Sequence, residues 1–96
     1  MGGDEELYEE IFSLFLEDAP IQLDLLLDAF KREDRTVVHR QAHSLKSAAG
    51  NIGGERMSRA CERFERAALS EPFPVLAELL RDIEQSLKQL VDPASR

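Results

Sequence analysis

The sequence predicts an all-α domain: an antiparallel up-down-up-down four-helix bundle with an additional N-terminal helix packed across one end. Three observations carry that expectation. Leu, Ala, Glu, Arg and Asp are abundant, only 6% of residues are aromatic and there is no Trp, a composition that favours helix over strand. Apolar residues recur at three- and four-residue steps, and nowhere do Val, Ile and Thr alternate with polar residues as a half-buried strand would require. The strong interruptions are short, at Pro20, Gly53-Gly54 and Pro72-Phe73-Pro74, with a polar break at Arg32-Glu33-Asp34-Arg35. Tight connections force successive helices to run antiparallel.

The first segment, Asp4 to Asp18, carries Leu7, Ile11, Phe12, Leu14 and Phe15 at helical spacing. Pro20 then fits the opening turn of a second helix, Ile21 to Arg32, with Leu23, Leu26, Leu27 and Phe30 as its apolar positions. A third helix opens at Asp34 or Arg35, with Asp34 as N-cap, and runs to about Asn51. After the glycine turn a fourth spans Glu55 to Leu69, and a fifth runs from Phe73 to about Val91.

Ninety-six residues, 43% of them hydrophobic, sustain one core and one domain, 1–96, with residues 1–3 and 93–96 expected to be flexible. The single cysteine, Cys61, has no internal partner, and the acidic N-terminal stretch is unlike a secretory signal, so a cytoplasmic setting is expected. No apolar run approaches the ~18 residues that would span a bilayer, and no membrane contact is expected. A net charge of −7 argues against nucleic-acid binding. The charge is unevenly spread: residues 1–30 hold nine acids and no base, whereas residues 31–66 hold nine bases against five acids. No G-x-x-x-x-G-K run is present and the length leaves no room for a nucleotide fold beside the bundle, so the chain is expected to have no ATP site of its own, not to be an autonomous enzyme, and to be a monomer.

The third helix holds the informative face. Val38, Ala42, Leu45, Ala49 and Ile52 fall within about 40° of one direction, which marks the core stripe. His43 points about 140° away from it, Gly50 about 120°, His39 about 100° and Lys46 about 80°, all on one side of the helix. An antiparallel hairpin turning at Gly53-Gly54 levels His43 with Phe64 and Glu65. Phe64 belongs to the apolar stripe of Met57, Cys61 and Ala68, while Glu65 is turned about 80° off it, toward the imidazole.

Such a site suits nucleophilic chemistry. A neutral imidazole attacks phosphorus through one ring nitrogen, and a hydrogen bond donated by the other, here to Glu65 directly or through water, fixes the tautomer and raises basicity. Lys46 offers a positive charge for phosphoryl oxygens. Mg²⁺ and an opposing aspartate would come from a partner, leaving this chain with no cofactor of its own.

Blander readings attach to the same residues. An exposed helix histidine is usually inert, Lys46 alone is a solvated lysine, and Glu65 alone is half of a surface ion pair. His39 and His43 have metal-ligand spacing, yet a zinc site needs a third ligand, so no metal is expected. Cys61 lies on an apolar stripe and reads as core, and Gly53-Gly54 follows no strand and reads as a turn rather than a phosphate cradle.

The run Ala42-His43-Ser44-Leu45-Lys46-Ser47-Ala48-Ala49-Gly50-Asn51-Ile52-Gly53-Gly54, followed by Met57, Cys61 and Phe64-Glu65, resembles the histidine-containing phosphotransfer (HPt) domain family, and the resemblance extends over essentially the whole chain. It implies a helical bundle whose exposed histidine relays phosphoryl groups between aspartates of receiver domains, in response regulators or hybrid sensor kinases. It further implies His43 as the phosphorylated residue, Lys46 as its electrostatic helper and Gly53 as part of the turn. His39, Ser47 and Gly50 are candidates for contact with the partner. The family usually has glycine where this chain has Ser47, which bears on how closely a receiver approaches. Two alternatives stay open: the phosphorylatable domain of a chemotaxis-type kinase, charged from ATP by a separate kinase domain, and a structural adapter bundle in which His43 is incidental.

Overall fold

Four helices account for nearly all of residues 3–92, the part described by the computed structural model: α1 (Gly3–Lys31), α2 (Arg35–Asn51), α3 (Glu55–Ala67) and α4 (Phe73–Val91), with no strand among the described residues. The ends expected to be flexible, residues 1–3 and 93–96, lie outside the described residues except for Gly3, where α1 begins.

The sequence expectation fails at Pro20. The segments Asp4–Asp18 and Ile21–Arg32 form one helix of 29 residues that runs through the proline, so no separate N-terminal helix packs across one end. Proline removes one helical hydrogen bond, the one Leu16 would accept, at a cost of up to ~3 kcal/mol. Here the ring faces solvent. Burial on the opposite face, with Phe15 and Ala19 before it and Leu26 and Ala29 after it at 5% exposure or less, offsets the loss.

The two inter-helix turns on either side of α2 share one construction. At the end of α1, the Asp34 amide donates to the Ala29 carbonyl and the Glu33 amide to that of Phe30, both at 3.0 Å, with Glu33 in the left-handed region at φ 55°. At the end of α2, the Gly54 amide donates to Ala49 O at 2.8 Å and the Gly53 amide to Gly50 O at 3.2 Å, with Gly53 at φ 74°. Both are paired closures that satisfy the last helical carbonyls. In each, the residue that closes one helix also opens the next. The Asp34 carboxylate accepts from the Val37 amide at 3.3 Å as N-cap of α2, and Gly54 is the N-cap of α3. Pro72 caps α4, and Pro74 sits in its first turn, where a missing N–H costs nothing.

The core joins the stripes expected from spacing. Val38, Ala42, Leu45 and Ala49 of α2 and Cys61 and Phe64 of α3 are fully buried, and Ile52 and Met57 nearly so. Helix α2 lies against both α1 and α3, and α4 packs chiefly on α3. Polar contacts fasten the ends. Tyr8 Oη donates to the Ile52 carbonyl at 2.9 Å, and Arg35 Nη1 donates to the carbonyls of Ala68 and Glu71 at 2.9 and 2.7 Å. The Arg35 guanidinium also stands 4.5 Å from the centre of the Phe73 ring, which meets Phe30 edge-on at 5.5 Å. No helix among the described residues is long and apolar enough to cross a membrane.

Candidate functional site

His43 follows Ala42 of the core stripe, and Glu65 follows Phe64; packing of those two buried residues therefore aims their neighbours outward at the α2–α3 seam. The two helices bring His43 Nδ1 to 2.8 Å from Glu65 Oε2, with the histidine side chain 58% exposed and the glutamate only 15%. The other carboxylate oxygen, Oε1, holds Lys46 Nζ at 2.8 Å. His39 Nε2 stands 3.9 Å from Glu65 Oε2, beyond hydrogen-bonding distance.

Lys46 is the main reason the Glu65 carboxyl lies below its ordinary range; burial works against it, and the His43 hydrogen bond adds to the lowering. An ionised carboxylate accepts only, so the hydrogen between the two residues sits on His43 Nδ1. Nε2 then carries the lone pair, and it has no hydrogen-bond partner among the described residues. The result is a largely exposed imidazole held through Nδ1 by a carboxylate on the neighbouring helix.

Of the residues singled out by sequence, the fold gathers His43, Lys46 and His39 around the carboxylate of Glu65. Ser47 and Gly50 continue the exposed surface of α2 toward its C-terminus, one and two turns from His43. Gly53 and Gly54 form the turn, and Gly54 is buried. The Lys46 ammonium, the expected positive charge for a phosphoryl group, rests on Glu65, with 29% of the side chain exposed. The signal was present in the hairpin register, which puts Glu65 within one turn of Lys46 as well as level with His43. Ser58, which sequence reasoning passed over, donates from Oγ to the Lys46 carbonyl at 3.4 Å across the seam.

Cys61 belongs to the core: burial, joined by the charges of Asp82 and Glu65 and opposed by Lys46, pushes its thiol up to about 12. No cluster of three His, Cys, Asp or Glu side chains suited to a metal ion exists among the described residues.

The site is thus an exposed imidazole held by a carboxylate on the surface of a helical domain. The family model of the Hpt domain matches residues 10–93, most of the chain, and the chain belongs to the Hpt domain family. Among curated proteins and among solved structures nothing matches it. Hpt domains are phosphocarrier modules of histidine phosphotransfer in phosphorelay signalling, and they interact with receiver domains.

Proposed function

We propose that His43 is the phosphorylated residue, accepting a phosphoryl group from the aspartate of one receiver and passing it to the aspartate of another. The observation that carries this reading is the 2.8 Å contact between Nδ1 and Glu65, which leaves Nε2 as the exposed nucleophile. Nε2 attacks the phosphorus of the aspartyl phosphate, the N–P bond forms, and the P–O bond to the aspartate breaks with the carboxylate as leaving group. The imidazole becomes cationic while keeping its Nδ1 hydrogen, and Glu65 stabilises that charge without taking the proton. Transfer to the next aspartate reverses the same steps. Lys46, one turn along α2, supplies positive charge to the phosphoryl oxygens. Mg²⁺ comes with the receiver and neutralises the phosphoryl group as it moves.

The receiver sits on the outer side of α2 and on the adjoining flank of α1. Leu14, Ile21 and Leu25 are 57%, 60% and 51% exposed there, an unusual apolar exposure on an otherwise acidic helix. Between the helices a groove of about 150 Å³, lined by Leu14, Asp18 and Gln22 on one side and Ala48 and Asn51 on the other, continues this surface toward Ser47. His39 and Ser47 border the nucleophile, and Gly50 lies two turns further along the same side of α2 as a partner-contact candidate; at Ser47 the hydroxymethyl group is small enough to leave Nε2 open to approach. The helices alternate in direction, up-down-up-down, a reading supported by the pairing of Tyr8 with Ile52, Arg35 with Ala68 and Arg56 with Gln89, each of which joins the start of one helix to the end of another.

The test is incubation with phosphorylated receiver domains and Mg²⁺, following acid-labile, base-stable phosphate on the wild type and on His43→Gln. Label on the wild type alone is the expected result. Equal label on both moves the phosphate to another residue; label only when a kinase core and ATP replace the receivers favours a kinase-charged domain instead.

A further inference from the structure

Gly50 is a glycine that the fold does not need. It lies in the last turn of α2 with an ordinary helical backbone, since Gly53 alone among the described glycines has positive φ. A Cβ added at Gly50 would meet nothing closer than Ser58 Oγ at 3.9 Å, an ordinary contact. Glycine disfavours helix relative to alanine, so the chain gives up some helix stability at a position where alanine fits. What the missing side chain creates is a groove of about 180 Å³ on the α2–α3 seam, lined by Gly50, Gly53, Glu55, Ser58 and Arg59.

The groove continues the surface that carries His43. Gly50 lies seven residues beyond the histidine on the same side of α2, about 10 Å along the axis, close enough for one partner to cover both. One wall is Arg59, whose partner is Glu55 at 3.2 Å in a pair whose side chains are 66% and 82% exposed. Such an i,i+4 surface pair is weak and exchangeable, and Glu55 can turn to solvent. The Ser58 hydroxyl, held against the Lys46 carbonyl, adds a polar group to the lining.

Resting on the reading of His43 as a receiver's partner, we infer that this groove seats an acidic side chain of the receiver, and that Arg59 exchanges Glu55 for the incoming carboxylate. Gly50 provides the space and Arg59 the charge, so the pair contributes to partner selection and leaves the phosphoryl chemistry alone.

The experiment compares two phosphodonors on the full chain: a phosphorylated receiver that loads the wild type, and phosphoramidate, a donor too small to touch the groove. Gly50→Gln fills the groove and Arg59→Glu reverses its charge. Each is expected to lower kcat/KM for the receiver about tenfold while leaving phosphoramidate labelling and the helical circular dichroism unchanged. Arg59→Glu charged by the receiver at the wild-type rate would overturn the acidic occupant, and wild-type behaviour of Gly50→Gln would overturn the groove. A wild type labelled by phosphoramidate but by no receiver removes the receiver reading, and this inference with it.

Discussion

One carboxylate, Glu65, faces His43 through Oε2 and Lys46 through Oε1, both at 2.8 Å, so replacing it isolates what charge contributes at the site. Glu65→Gln keeps the shape and leaves an amide oxygen able to accept from Nδ1–H, but it removes the negative charge that stabilises a phosphorylated, cationic imidazole. Charge-assisted hydrogen bonds exceed neutral ones by enough to predict a loss of roughly 10- to 100-fold in the rate of phosphoryl acceptance, measured by rapid quench with a saturating phosphorylated receiver. A pH dependence follows from the same residue. Its carboxyl is lowered in the folded state, chiefly by Lys46, so the stability it contributes is fully present above the ordinary glutamate value of about 4.3 and is lost as pH falls through the lowered folded value. Thermal melts between about pH 7 and pH 3 should show a shallower acid decline for Glu65→Gln than for the wild type. Equal declines would mean that the ion pair adds nothing to folding.

At the scale of the elements, α1 and the turn after it carry two local costs that substitution can remove. Pro20 is exposed on a helix that runs through it, so Pro20→Ala restores an N–H without disturbing the core and should stabilise the fold by up to ~3 kcal/mol in urea unfolding. Unchanged stability would show that α1 has relaxed around the missing bond. Glu33 takes the left-handed position that Gly53 takes at the matching turn, and Glu33→Gly should gain about 1 kcal/mol in the same assay, while Gly53→Ala should lose a similar amount. Pro20 also marks where sequence and structure part. The stripe Val38–Ala42–Leu45–Ala49–Ile52 is legible because its period depends on nothing outside α2, and the nearness of Glu65 to His43 because a two-glycine turn fixes the register of α3 on α2. The continuity of α1 is not legible, since it depends on burial of Phe15, Ala19, Leu26 and Ala29 outweighing a local penalty. Nor are the contacts of Arg35 with the end of α3, where residues over thirty apart meet without any periodic signal. Lys46 lies between these cases: its helix face follows from spacing, whereas the carboxylate that claims its ammonium belongs to another helix.

Over the whole molecule, charge is segregated by helix. The N-terminal thirty residues hold nine acids and no base, and Glu6, Glu9, Glu10 and Glu17 line a shallow outer surface of α1, while the α2–α3 half carries the basic surplus. A net charge of −7 would by itself slow encounter with any partner that is also negatively charged. At physiological salt, however, charges are screened over about 8 Å, so the approach to His43 is governed by its own neighbourhood, with Arg40 and Lys46 each one turn away on α2, rather than by the distant face of α1. Glu65 is largely buried and already paired, which limits how far it offsets them at the surface. Local attraction of this kind acts on encounter and leaves the transfer step inside the complex alone. Receiver-to-domain transfer should therefore lose about tenfold in kcat/KM between ~20 mM and ~500 mM NaCl while kcat at saturating receiver holds steady. A kcat/KM that rises with salt would mean that the acidic face of α1 dominates the encounter, and a parallel fall in kcat would place the salt-sensitive contacts in the transfer step itself.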